Sequence, residues 1–171
     1  PGDSLLLLDA RGHGRRESAC GRDVLGLFEG SFYSQVLPYQ TLAADLQLAA
    51  GYRLDPKDAL YIGGFDGLRG YPNHYRTGDR RWVFSVEDRI ITPWKLWGLA
   101  QVGFVVYADA GAVRRTGGNF TKTYADVGAG LRFGNLKSTF GRVLAISVAV
   151  PLVKEPGLDN YQIVVGNVVR F

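Results

Sequence analysis

Apolar and polar positions alternate with a period of two along most of this chain, the pattern of strands whose two faces meet different surroundings. From Thr41 to Tyr52, residues Leu42, Ala44, Leu46, Leu48, Ala50 and Tyr52 share one face, opposite Ala43, Asp45, Gln47 and Ala49. From Arg81 to Ile90, residues Trp82, Phe84, Val86 and Ile90 oppose Arg81, Val83, Ser85, Glu87 and Arg89. From Gln101 to Ala110, residues Val102, Phe104, Val106, Ala108 and Ala110 oppose Gln101, Gly103, Val105, Tyr107 and Asp109. Segments Tyr124–Phe133, Arg142–Val150 and Tyr161–Phe171 repeat the pattern, and Asp23–Ser34 and Ser4–Arg11 carry it less regularly. The reading is an all-β chain of about eight strands, without a helix, an interdomain linker or a low-complexity tract.

The two faces differ in kind. One carries small residues and scattered charges (Asp45, Glu87, Arg89, Asp109, Asp126, Arg132), and the other is almost uniformly apolar. A soluble sandwich also hides an apolar face, so the faces alone do not choose a medium. Aromatic residues sit near segment ends (Trp82, Trp94, Trp97, Tyr107, Tyr124, Phe133, Tyr161, Phe171), as in the girdles of membrane barrels. Connections alternate in length. Short joins are expected at Leu37-Pro38, Thr92-Pro93-Trp94 and Gly134-Asn135, and long ones after Gly12, Leu54 and Val113. Short periplasmic turns with long outer loops are the outer-membrane pattern, and an eight-strand count puts both ends on the periplasmic side. These features predict a transmembrane antiparallel β-barrel. No apolar run approaches the roughly 18 residues that a spanning helix needs.

Composition narrows the chemistry. The chain has 171 residues, enough for one ordinary domain, and its net charge of +4 is spread without a block of like charges. Nucleic-acid binding is therefore not suggested. One cysteine, Cys20, excludes an internal disulfide and a cysteine-based zinc site. His13 and His74 lack carboxylates at ligand spacing, so no metal and no cofactor is expected. Ser147 and His74 find no third partner for a lipid hydrolase, and no catalytic residue is assigned. With no Met and no leader-like opening, the chain is expected to be a processed product or a fragment.

The connection from Leu54 to Arg80 is the longest. Its stretch Tyr61-Ile62-Gly63-Gly64-Phe65-Asp66-Gly67-Leu68-Arg69-Gly70-Tyr71-Pro72 surrounds a single Arg with glycines. Glycine permits close backbone approach and positive φ, so the loop can fold back and present Arg69. A buried Arg needs carboxylates, and the candidates are Glu87 and Asp109 on the polar faces of the next two segments, where one guanidinium fork could reach both. Lys57, Arg76, Arg80 and Arg81 could touch lipopolysaccharide phosphates, although a solvated loop rim accounts for them better.

These residues resemble a known family. Leu68-Arg69-Gly70-Tyr71 after Gly63-Gly64 is similar to the loop-six motif of the BamA and two-partner-secretion transporter superfamily, the bacterial surface antigen family. Tyr107-Ala108-Asp109-Ala110-Gly111 resembles its Phe-x-Asp-x-Gly strand motif, and Ser85-Val86-Glu87-Asp88-Arg89 followed by Pro93 resembles the strand with a lumenal Glu. Gly166, Val169 and Phe171 fit its C-terminal signal, with Val164 where a polar residue is usual. The match runs from about Gln40 to Phe171. The resemblance implies a sixteen-stranded outer-membrane barrel preceded by POTRA domains. Neither those domains nor the first eight strands are present here, so the chain would be the C-terminal half, or a short relative that closes alone or pairs as a homodimer. It also implies that the chain inserts or translocates other proteins, that Arg69 enters the lumen, and that Glu87 and Asp109 hold it there. Expected partners are outer-membrane lipid and lipopolysaccharide, a client or secreted protein, and a second copy or a missing N-terminal half barrel. A passive small barrel acting as anchor or adhesin is the alternative.

Overall fold

A computed structural model describes residues 4–15, 23–52, 59–64, 67–115, 117–135 and 143–168. The strands are β1 (Ser4–Arg15), β2 (Asp23–Leu37), β3 (Gln40–Tyr52), β4 (Leu60–Ile62), β5 (Arg76–Gly78), β6 (Arg80–Leu96), β7 (Ala100–Arg114), β8 (Tyr124–Asn135), β9 (Val143–Pro151) and β10 (Gln162–Val168). Eight of them form one antiparallel sheet in the order β1-β2-β3-β6-β7-β8-β9-β10. Each strand pairs with its chain neighbour, apart from the β4–β5 hairpin, which is inserted between β3 and β6. Among the described residues β1 and β10 are the two edges of the sheet.

The period-two pattern decides the faces. Leu48, Phe84, Phe104, Val106, Leu131, Ile146, Val148 and Ile163 are exposed on one side. Ala43, Val83, Glu87, Val105, Tyr107, Asp109, Asp126, Arg132, Ser147 and Ala149 are buried on the other. A soluble protein would bury the apolar set, because hiding that area from water is the main force of folding. Here the apolar set faces out in a band and the charged set faces in, the inversion expected where the outer medium is hydrocarbon. Side chains from β3, β6, β7, β8, β9 and β10 line one inner cavity of about 330 Å³, so the sheet curls around it.

Two expected joins are displaced. Thr92-Pro93-Trp94 lies inside β6, and the turn comes later, at Trp97–Leu99. Pro93 cannot donate to the ladder, so the pairing jumps from Ile91↔Gly103 to Lys95↔Gln101, a bulge rather than a reversal. Side chains replace the missing ladder bonds: Thr92 Oγ1 donates to the Val102 carbonyl at 2.7 Å, and the Gln101 amide donates to the Thr92 carbonyl at 3.1 Å. The reversal itself has positive φ at both central residues, Trp97 (47°) and Gly98 (67°), and Leu99 N donates to Leu96 O at 2.9 Å. Those φ signs are the ones that suit a right-twisted hairpin. Gly134-Asn135 likewise belongs to β8. The join at residues 38–39 is short, as expected, and the connection between β3 and β6 is long.

Candidate functional site

The loop between β3 and β6 places Arg69 on the inner wall. Gly63 and Gly64 have φ of 102° and 86°, a region that L side chains rarely adopt. A Cβ at Gly63 would lie 2.2 Å from the Pro72 carbonyl oxygen, so the crossing of the two loop limbs requires a residue without one. Gly64 N is shared between the carbonyls of Leu68 (3.1 Å) and Tyr71 (3.0 Å), and Tyr71 N donates to Leu68 O at 3.2 Å. Leu68–Tyr71 is thus a tight turn with Arg69 and Gly70 at its tip. Leu68 and Tyr71 are buried in a cluster with Ile62, Val83, Val113 and Tyr124, which roots the turn in the wall. At Gly70 an added Cβ would meet Asp126 Cβ at 2.6 Å, so the tip presses directly on β8.

From that tip the guanidinium forks. Arg69 Nε and Nη2 donate to Asp109 Oδ2 and Oδ1, each at 2.7 Å, Nη1 donates to Glu87 Oε1 at 2.5 Å, and Nη2 also reaches Ser85 Oγ at 3.1 Å. Ser85 Oγ donates to Asp109 Oδ1 at 2.6 Å. The guanidinium carbon stands 3.4 Å from the centroid of the Tyr107 ring, a cation–π stack. Tyr107 lies flat because Gly128 has no side chain, and a Cβ there would sit 2.3 Å from the Tyr107 ring. Burial alone would lower the pKa of Arg69, but the hydrogen bonds and charge of Asp109, then of Glu87, outweigh it and raise the pKa above its ordinary value. This is the strong class of bond, bidentate and charge-assisted in a water-poor setting.

The structure therefore brings Arg69, Glu87 and Asp109 together, with Tyr107 beneath and Leu68, Gly70 and Tyr71 framing the turn. Gly111 is buried on β7, where a Cβ would meet the Trp82 carbonyl oxygen at 2.8 Å. Gly166 pairs with Ala145 on the β10 edge strand, while Val169 and Phe171 lie outside the described residues. Lys57 and Cys20 also lie outside them, as does the side chain of His13. Arg81 binds the Tyr61 carbonyl and Gln47, and His74 meets Tyr61 edge-on in the loop, whereas Ser147 sits on the inner wall as acceptor for Tyr107 Oη. No three His, Cys, Asp or Glu side chains among the described residues are grouped to hold a metal ion.

Sequence reasoning missed three members of the site. Arg89 Nε and Arg132 Nη2 both donate to Glu87 Oε2, at 2.7 and 2.6 Å, so one carboxylate serves three arginines. Asp126 is fully buried and lies directly across the ladder from Asp109. The signal for all three was their place on the charged face, and only Asp126 stands at the register of Asp109. The loop also holds a second cluster nearer the rim. Glu155 accepts from Tyr75 Oη (2.6 Å), Tyr124 Oη (3.0 Å), Lys122 Nζ (2.7 Å) and Arg76 Nη2.

A family model of the Omp85 superfamily domain matches residues 27–167. The chain belongs to the Omp85 superfamily. Comparison with curated proteins and with solved structures returned no match. Omp85 proteins are outer-membrane proteins of Gram-negative bacteria or organelles, and they insert or translocate protein rather than act as enzymes. The Omp85 match covers the sheet from β2 to β10, including the long loop and every residue of the Arg69 cluster.

Proposed function

We propose that this Omp85 chain forms part of an outer-membrane β-barrel that inserts outer-membrane proteins or passes protein across that membrane, with the long loop held in the lumen by Glu87 and Asp109. The observation that carries the reading is the fork of Arg69 on Asp109 with its third nitrogen on Glu87. A loop in a passive anchor needs no such burial. Removing a guanidinium from water is costly, and a charge is kept inside a wall only when its geometry is satisfied. Sheet edges cannot face lipid unpaired, so the barrel closes on itself through β1 and β10, or by strand addition from a second copy or from an N-terminal half. Outer-membrane lipid and lipopolysaccharide meet the exposed apolar band, and the transported polypeptide meets the inner wall.

The test is Arg69→Ala in proteoliposomes supplied with an unfolded outer-membrane client. The variant should keep its heat-modifiable gel mobility and lose tenfold or more of client insertion or passage. A folded variant with undiminished transport would refute the transport reading and favour a passive barrel.

A further inference from the structure

Arg132 is a buried cation with donors to spare. It is 5% exposed, and Nη2 is taken by Glu87, but Nε and Nη1 are sealed from solvent and have no hydrogen-bond partner. Buried donors left unpaired are costly, charged ones most of all, so each one calls for an occupant. Arg89 shares the same oxygen of Glu87, and that residue also holds Arg69. Two guanidiniums thus converge where one partly committed carboxylate offsets them.

Beside them the wall has a hole. Gly103 of β7 pairs with Ile91 on one side and Arg132 on the other, and it has no side chain to fill the space between them. A cavity of about 20 Å³ lies there, lined by Thr41, Arg89, Ile91, Gly103 and Arg132 together with Ile90 and Phe104. That is room for a water-sized particle. A neutral water would satisfy a donor and leave the repulsion of the two cations untouched, whereas an anion offsets both. No carboxylate lines this cavity.

We propose that Arg89 and Arg132 form a binding site for one compact monovalent anion, seated in the gap left by Gly103. The gap has room for a free halide and not for a carboxylate borne on a polypeptide. The site depends on the inner wall alone, not on how the barrel closes or what it transports.

Chloride-35 NMR of the full chain, refolded in a neutral maltoside detergent, tests it. Chloride should show excess line broadening that Arg132→Gln and Gly103→Ala each reduce at least tenfold. Gly103→Ala keeps both charges and fills the gap, since its Cβ would meet the Ile90 carbonyl oxygen at 3.2 Å and Arg132 Cβ at an ordinary 3.8 Å, and so it answers the question if Arg132→Gln fails to fold. Acetylglycine, too large for the gap, should leave the chloride signal unchanged, and displacement of chloride by it would overturn the proposal. No excess broadening in the parent chain, or broadening retained in Gly103→Ala, would overturn the proposal.

Discussion

One loop is held at two depths by opposite chemistry. Inside, Arg69 is a cation embedded among acids, with side-chain exposures of 13% for Arg69, 8% for Glu87 and 0% for Asp109. At the rim, Glu155 is an acid embedded among donors, and its Arg76 and Lys122 partners are close to half exposed. The inner contact is desolvated and bidentate, so losing one partner strands another. The outer one is solvent-screened and redundant, so losing one bond leaves the others, and water replaces it. The inner cluster should therefore control whether the loop stays in the wall, and the outer cluster how its hairpin of β4 and β5 lies over the opening.

The sharpest way to break this contrast is Arg69→Ala. It leaves Asp109 buried opposite Asp126 without its cation, and breaking a buried pair costs about 3–5 kcal/mol. Protease cleavage within residues 63–75 should become fast in Arg69→Ala while the strands stay protected. Adding Asp109→Asn should recover part of the loss, because it removes the stranded charge. If the double variant is as labile as the sum of the single ones, the two residues do not act as a pair.

Next in size are two changes that spare every charge. Gly128→Ala pushes a methyl into the Tyr107 ring and to within 2.6 Å of the Val148 carbonyl oxygen, overpacking that costs about 1–3 kcal/mol. The Arg69 stack should tilt, and near-ultraviolet dichroism of Tyr107 should fall. Tyr71→Phe deletes the hydroxyl whose one hydrogen is shared between Ala125 O (3.0 Å) and Val153 O (3.2 Å) and whose oxygen accepts from Val153 N (3.3 Å). Losing those partners costs about 1–3 kcal/mol. It should loosen the β9–β10 connection as well as the loop, seen as faster amide exchange at Val153.

How much of this was legible from sequence follows the same division. Strand positions were readable because one face is nearly pure hydrocarbon, and a one-residue slip would put Glu87, Asp109 and Arg132 among Phe84, Phe104 and Leu131. The end of β6 was not, because Pro93 reads as a stop while Thr92 and Gln101 carry the strand through a bulge. The small β4–β5 hairpin was hidden as well. Leu60–Ile62 and Arg76–Gly78 are too short for any period, and they pair only because the glycines between them cross the limbs. For the Arg69 site, the residues on the charged face were visible, but the sharing of Glu87 by three arginines was not. That depends on side chains from β6 and β8 reaching over Gly103 and Val105, which no linear pattern records.

The smallest effect is expected at the rim, and its pH dependence separates it from the inner cluster. Hydrogen bonds from Lys122 first, then Tyr75 and Tyr124, with the charge of Arg76, hold Glu155 down to about 2 from an ordinary 4.5. A depressed carboxylate contributes stability that is present above its unfolded pKa and is lost as pH falls through the folded one. Tyr75 is pushed up to about 12 from 10, by burial first and then by its bond to Glu155, so its contribution is present below pH 10 and lost towards pH 12. The rim contact should thus be constant from about pH 5 to 9, weaken between 4.5 and 2, and weaken again between 10 and 12. Glu155→Gln should erase the acid limb while leaving the protease resistance of the Arg69 turn unchanged at pH 7. An acid limb that survives in Glu155→Gln would place the titrating group elsewhere, and a turn that becomes cleavable would mean that the two depths are one cooperative contact rather than two.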